Sequence, residues 1–466
     1  MTLRLHTMHT DGIAQMSYFI GDDRSGEAWV IDPRPDCKIY LQYARQYGLA
    51  ITRAFETHVH ADFMSGSREL RALIPSLDIC VSGISDPHYG YECSRIADGD
   101  VFEIGETALT VRHTPGHTPE HIAIEIAKRS SPQQPWAVFT GDSLFVGSAG
   151  RPDLLGAGHT GELTSQLFRT LNEYYLSLAD DVMILPCHGA GSACGAGIGD
   201  RHLSTIGQER QSNPFLQFDD EDAFAAFVKK GAPPIPAHYP RLKKVNLKPG
   251  SQGHAPPCPA MTVEALCRAI EGDGSATLLD TRDMLAFGGG HISGAINIGD
   301  RPELSPWSGD MLDPDQPIVI VAYDDSQIEM IVNRMWRVGF TTFKGYLAGG
   351  MKSWLATGQP LATIPQIDVH TLHDQLDDVQ VLDVRSDIEW GSGHIRGAVH
   401  HYVATLRDGI DGLDMLDPKK EVVVYCGSGY RASIAASILR RNGFQHVHNL
   451  AGSMGAWRAA GLPVVT

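Results

Sequence analysis

The C-terminal part of this 466-residue chain is written twice. Leu279-Asp280-Thr281-Arg282 returns as Leu382-Asp383-Val384-Arg385. Gly290-His291-Ile292-Ser293-Gly294-Ala295 returns as Gly393-His394-Ile395-Arg396-Gly397-Ala398. Ala348-Gly349-Gly350-Met351 with Trp354 returns as Ala451-Gly452-Ser453-Met454 with Trp457, each time 103 positions on (Asp280 to Asp383). Self-similarity at one fixed offset marks a duplicated unit, so a single fold has to be built twice. Within each copy short apolar runs (276–280 and 317–322, then 379–383 and 421–425) alternate with helical patterns such as 431–442. Alternation of strand and helix predicts an α/β fold with a parallel sheet covered by helices. The copies divide at 258–362 and 363–466.

Ahead of the pair, residues 1–245 read as a separate domain. Strand-like runs at 17–20, 28–31, 108–113, 137–140 and 182–185 mix with helical stretches at 39–47, 67–73 and 165–176. From 231 to 259 the chain is rich in proline (Pro233-Pro234, Pro236, Pro240, Pro249, Pro256-Pro257). That composition predicts a packed tail followed by a linker over 246–257.

Composition narrows the partners. With 38 basic and 55 acidic residues the net charge is −17, so the average surface repels a polyanion and nucleic acid is not expected. No run approaches ~18 uninterrupted apolar residues and the first residues carry no apolar signal core, so neither a membrane span nor a secretory leader is expected. Eight cysteines (Cys37, Cys80, Cys93, Cys187, Cys194, Cys258, Cys267, Cys426) are sparse and form no CxxC pair. They read as free thiols of a reducing cytoplasm.

Four short pieces carry candidate metal ligands. Thr57-His58-Val59-His60-Ala61-Asp62 follows an apolar run. Thr114-Pro115-Gly116-His117-Thr118 follows another, Thr140-Gly141-Asp142 ends a third, and Pro186-Cys187-His188-Gly189 ends a fourth. Strand ends fix ligands rigidly while the adjoining loops leave access for a substrate. One loop histidine means little; four pieces in this order predict a metal site.

This pattern, HxHxD, PGHT, GD and PxHG in sequence, resembles the metallo-β-lactamase superfamily, its glyoxalase II-like members and among them the persulfide dioxygenases. The resemblance extends over residues 1–245 and takes in Ile31-Asp32-Pro33, Ser65-Gly66, Gly150-Arg151-Pro152-Asp153 and Glu209-Arg210-Gln211-Ser212-Asn213-Pro214. It implies an αββα fold. The binuclear zinc hydrolases of the superfamily have histidine directly after the HxHxD aspartate, whereas here that residue is Phe63. A lone site of two histidines and one carboxylate with open positions suits non-haem Fe(II). The resemblance then implies one Fe(2+) per chain on His58, His117 and Asp142. His60 and His188 would lie beside the ligands or near the substrate, with Asp62 orienting them. His60 stays open as a further ligand, since the hydrolase pattern uses it. Arg151 is a candidate for binding a substrate anion, against a structural pairing with Asp153. Cys194, in the glycine-rich stretch after His188, is a candidate persulfide-accepting thiol, against a buried small residue.

In the second repeat Cys426-Gly427-Ser428-Gly429-Tyr430-Arg431 lies between an apolar strand and a helix. Successive backbone N–H groups of such a loop form an anion nest, and the helix dipole and Arg431 add positive potential, so a thiolate or persulfide anion is favoured there. With Asp383, Arg385, Glu389-Trp390 and the Gly393-His394-Ile395 motif, the repeat resembles a rhodanese domain. The resemblance makes Cys426 the sulfur-carrying nucleophile and Gly427, Ser428, Gly429, Tyr430 and Arg431 its cradle. The first repeat places Ala322 at the cysteine position, followed by Tyr323-Asp324-Asp325-Ser326-Gln327. It is read as an inactive copy that spaces, docks or dimerises.

The order as a whole resembles fusions of a persulfide dioxygenase with an inactive and an active rhodanese. It implies oxidation of a small-molecule persulfide with O2 to sulfite, coupled to sulfur transfer at Cys426 that makes or uses thiosulfate. Two other readings stand beside it: a binuclear zinc thiolester hydrolase joined to a sulfurtransferase, and a non-catalytic metal-binding sulfur relay. The paired folds predict a homo-oligomer.

Overall fold

The computed structural model describes residues 3–466 apart from 86, 232–233, 252 and 272–275, so Pro233 of the proline-rich segment lies outside it. Two compact units are present: Met1–Ala255 with Trp336–Gly339, and Pro256–Met335 with Phe340–Thr466. Among the described residues no helix is long and apolar enough to cross a membrane.

The first unit is an αββα sandwich, as expected. One six-stranded sheet runs Leu3–Thr10, Gln15–Asp22, Glu27–Ile31, Ala50–Glu56, Asp78–Ser82, Ser94–Ile96. The other runs Ser204–Thr205, Met183–Pro186, Pro135–Gly141, Ile122–Lys128, Thr107–His113, Val101–Ile104. The inner core between them includes Tyr18, Trp29, Phe55, Leu109, Ile124 and Phe139. Strands covered on both faces need apolar residues at nearly every position rather than at alternate ones. Gln15–Asp22 is accordingly buried along its whole length. Helix Lys38–Tyr47 covers the first sheet and Ala157–Arg169 the second.

Two expectations need correction. The helix placed at 165–176 starts at Ala157 and ends at Arg169, followed by a π turn over Thr170–Tyr174. Gly158 and Gly161 hide its start from a propensity reading. At its end the Thr170 hydroxyl donates to the Pro115 carbonyl, 2.7 Å away. The linker drawn over 246–257 begins inside the first unit. Helix Tyr239–Leu247 buries Asn246, and Glu69 accepts hydrogen bonds from the Ser251 hydroxyl and the Gly253 N–H.

The second unit holds two all-parallel five-stranded sheets with the same strand order. They are Ala260–Met261, Phe343–Leu347, Ile318–Val321, Thr277–Asp280, Ile296–Asn297, and Gln366–Ile367, His446–Leu450, Glu421–Tyr425, Gln380–Asp383, Val399–His400. Register settles the comparison of the copies. Asp280 pairs with Val321 and Asp383 with Tyr425. The next residues, Ala322 and Cys426, therefore occupy equivalent positions.

Candidate functional site

The metal-ligand candidates of the first unit converge at the ends of four strands: Ala50–Glu56, Thr107–His113, Pro135–Gly141 and Met183–Pro186. His58 Nε2 lies 3.7 Å and His117 Nε2 3.5 Å from Asp142 Oδ2. One ligand atom from each of the three falls within 4.8 Å of the others, and all three side chains are buried. Among the described residues neither His58 Nε2 nor Asp142 Oδ2 has a hydrogen-bond partner. Buried polar atoms without partners are costly, and a cation at their meeting point removes the cost for all of them. Burial and the neighbouring imidazoles push His58 well below its usual range, and burial also lowers His117. Both rings are therefore neutral, the form that binds a metal.

Each ligand is oriented from behind. His58 Nδ1 lies 3.0 Å from Thr57 Oγ1, and His117 Nδ1 2.9 Å from the Arg151 carbonyl, which fixes Nε2 as the outward nitrogen. The backbone N–H of Asp142 donates to His121 Nε2 at 2.9 Å. His188 Nδ1 holds Asp142 Oδ1 at 2.7 Å, and its Nε2 lies 2.7 Å from Asp62 Oδ2. Burial pulls His188 down, but the two carboxylates outweigh it and lift the imidazole to about 10. Gly150 makes the centre possible: a methyl there would collide with the Asp142 carbonyl oxygen and come within 2.9 Å of His117 Nδ1.

His60 turns away from this centre. Its Nε2 lies 3.0 Å from both Asp32 Oδ1 and Glu56 Oε2. Burial opposes its charge, but the two carboxylates prevail and raise it well above its usual value. Asp32 also accepts from the Thr57 N–H and hydroxyl, and Glu56 from the hydroxyls of Ser65 and Ser67. Phe63 is fully buried with its ring 4.3 Å from that of His60. Asn246 ties the whole turn down by donating to the carbonyls of His60 and Phe63 and accepting from the Ser65 N–H.

Arg151 makes a bidentate pair with Asp153, at 2.6 and 2.8 Å, and is buried. Cys194 is buried beside Ala61, Phe145 and Tyr239, its Sγ 3.8 Å from the Tyr239 hydroxyl. Burial raises the Cys194 thiol well above its ordinary value. One ligand-type atom each from Asp62, His188 and Cys194 also gather within 4.8 Å.

In the second unit Cys426 directly follows strand Glu421–Tyr425, and helix Tyr430–Arg441 begins four residues later. The Gly429 N–H donates to Cys426 Sγ at 3.1 Å, which requires the left-handed φ of +106° at Gly429. Arg431 forms a two-pronged ion pair with Glu389 at 2.6 and 2.7 Å. Burial would raise Glu389, but Arg431 holds its carboxyl down at about 2. Ser428 is exposed at the loop tip and Gly427 is half-buried. Asp383 and Arg385 pair with each other behind the loop, at 2.6 Å.

His121, Asp32, Glu56 and Asn246 were not among the sequence candidates. His121 lies four residues after His117, the one local hint; Asn246 and Glu56 reach the site only through the fold.

The metallo-beta-lactamase superfamily model matches residues 10–188, and the rhodanese-like domain model matches 262–357 and 368–460. The mitochondrial persulfide dioxygenase ETHE1 of Bos taurus is 30% identical over 241 residues, 51% of this chain and 84% of that protein. The human ETHE1 is 32% identical over 218 residues, 46% of this chain and 74% of its own. A crystal structure of a metallo-beta-lactamase from Staphylococcus aureus subsp. aureus COL is 32% identical, with a TM-score of 0.67, and spans 75% of this chain and 99% of that one.

Proposed function

Since the chain belongs to the metallo-β-lactamase superfamily, with an N-terminal half homologous to ETHE1 persulfide dioxygenases and two rhodanese-like domains behind it, we propose that it oxidises a small-molecule persulfide with O2 to sulfite and transfers sulfur at Cys426. The observation that carries the first half is the triad His58, His117 and Asp142. Two of its inward atoms, His58 Nε2 and Asp142 Oδ2, lack partners among the described residues, while His60 is engaged by Asp32 and Glu56 and position 63 has no donor.

Two neutral imidazoles and one carboxylate fit a single Fe(2+) with open positions. Ferrous iron, when bound, supplies oxygen activation and a soft site for sulfur. The protein's part is to hold three ligands in one orientation, through Thr57, the Arg151 carbonyl and His188. Ala61, Phe145 and Tyr239 keep the neighbouring space apolar. The overall change balances as RSS⁻ + O2 + H2O → RSH + SO3²⁻ + H⁺. The outer sulfur loses four electrons and dioxygen gains them.

At the second site the persulfide on Cys426 has the Gly429 N–H beside its inner sulfur and Arg431 next to the loop. Attack by sulfite on the outer sulfur breaks the S–S bond, releases the Cys426 thiolate and forms thiosulfate: Cys-SS⁻ + SO3²⁻ → Cys-S⁻ + S2O3²⁻. Holding both reactions on one chain raises the local concentration of sulfite. The sparse thiols, none in a disulfide among the described residues, suit a reducing cytoplasm. A self-associating chain completes the proposal.

The test is oxygen uptake by iron-loaded protein given glutathione, coenzyme A or cysteine persulfide, with sulfite and thiosulfate measured. Uptake matched by these products supports the reading. Absence of uptake with every persulfide refutes it.

A further inference from the structure

We propose that the first repeat, which has Ala322 at the position of Cys426, positions the sulfur-carrying loop of the second, acting through Met284 and the backbone carbonyl of Gly299. The proposal rests on reading Cys426 as the sulfur carrier.

A glycine-rich nest has a weakness. Its N–H groups point inward only while the backbone holds an unusual conformation, and glycine gives that backbone the widest freedom to leave it. The loop from Cys426 to Tyr430 contains two glycines, and within the loop the Gly429 N–H is what donates to the sulfur, at 3.1 Å against 4.0 Å for the Ser453 hydroxyl outside it. Something outside the loop has to hold Gly429 in place.

The first repeat does so at two adjacent residues. Met284 lies directly over Gly429: a methyl added there would come within 2.6 Å of the Met284 sulfur and 3.0 Å of its terminal carbon. The hydroxyl of Tyr430 donates to the Gly299 carbonyl at 2.9 Å. Its ring also covers Gly299, where a methyl would meet the ring edge at 3.3 Å. Behind the loop the helix itself is pinned. Ser433 Oγ donates to Asn297 Oδ1 at 2.6 Å, and the Asn297 N–H donates to Ser437 Oγ at 3.1 Å. Asn297 is in turn fixed by its amide donating to the carbonyls of Asp280 and Arg282. All three side chains are buried.

The arrangement serves one copy only. In the register that aligns Ala322 with Cys426, Tyr430 corresponds to Ser326, Ser433 to Glu329 and Ser437 to Asn333. Strand pairing aligns Asn297 with His400. None of the residues that tie the second repeat's helix to the first is present in the reciprocal position. A copy with no thiol at the loop position thus supplies one wall of the other copy's site.

The experiment uses the full chain and thiosulfate with cyanide as the probe pair, S2O3²⁻ + CN⁻ → SO3²⁻ + SCN⁻. Met284→Ala removes the cover over Gly429, Tyr430→Phe removes one hydrogen bond, and Met284→Leu keeps the bulk. Small displacements of a reacting group cost rate, so M284A and Y430F should each lower kcat about tenfold while KM for thiosulfate moves less than about twofold. M284L should keep at least about half of wild-type kcat, as a volume-conserving exchange does. Wild-type kcat in both M284A and Y430F overturns the proposal, as does a loss confined to KM. Wild type and Cys426→Ser turning over alike would instead remove the premise, and the positioning role with it.

Discussion

His188 Nδ1 grips Asp142 Oδ1 at 2.7 Å and leaves the other carboxylate oxygen facing His58 and His117. A carboxylate held this way presents one defined oxygen to a cation. His188→Gln keeps a polar side chain but loses the charged clamp between Asp142 and Asp62. Iron affinity should fall about 10- to 100-fold, the usual effect of removing a partner behind a ligand. Competition with a chelator measures it, and unchanged affinity would mean that Asp142 needs no help.

Gly150 allows the Arg151 loop to lie against the Asp142 backbone. Gly150→Ala forces a methyl into the Asp142 carbonyl and toward His117 Nδ1. Overpacking of this kind costs on the order of 1–3 kcal/mol or more. The expected result is a lower denaturation midpoint together with loss of bound iron. A variant with wild-type stability and full iron content would contradict the tight fit.

The Arg431–Glu389 pair has a pH signature. Its carboxyl is held at about 2 against an ordinary 4.5. A depressed acid contributes stability that is fully present above about 4.5 and is lost as pH falls through about 2. The difference in denaturation midpoint between wild type and Glu389→Gln should therefore be constant from neutral pH down to about 5 and shrink below that. A difference that grows on acidification would show the pair is not the cause.

Cys426→Ser should leave persulfide-dependent oxygen uptake in place and turn the product from thiosulfate to sulfite. Adding Ala322→Cys to that variant should restore nothing. The register puts a thiol at the equivalent point, but Tyr323-Asp324-Asp325 supplies bulk and acid where the second copy has glycines. Thiosulfate from the double variant would mean that strand-end position alone suffices. Product analysis distinguishes the outcomes.

Much of this was readable before the fold was known, because it is local. His58, His117 and Asp142 follow apolar strands within a few residues. The Cys426 loop is one continuous segment, and Ala322 is found by aligning two copies of one text. What the sequence hid depends on distant partners. Spacing places His60 beside a metal, but two buried carboxylates, Asp32 and Glu56, decide where its ring points. Asn246 looked like the start of a linker because proline surrounds it, yet its amide bonds two carbonyls some 183 and 186 residues earlier. The helix at Ala157–Arg169 is placed too late in the sequence reading, at 165–176, because two glycines near its start lower propensity, which packing against the second sheet overrides.

The central claim is a single redox-active metal at His58, His117 and Asp142, and metal stoichiometry combined with anaerobic assay tests it most directly. About one iron per chain, with persulfide turnover that stops when oxygen is removed and does not occur with zinc, is the predicted result. Two metals per chain bridged by Asp142, or full turnover of the zinc form without oxygen, would contradict it.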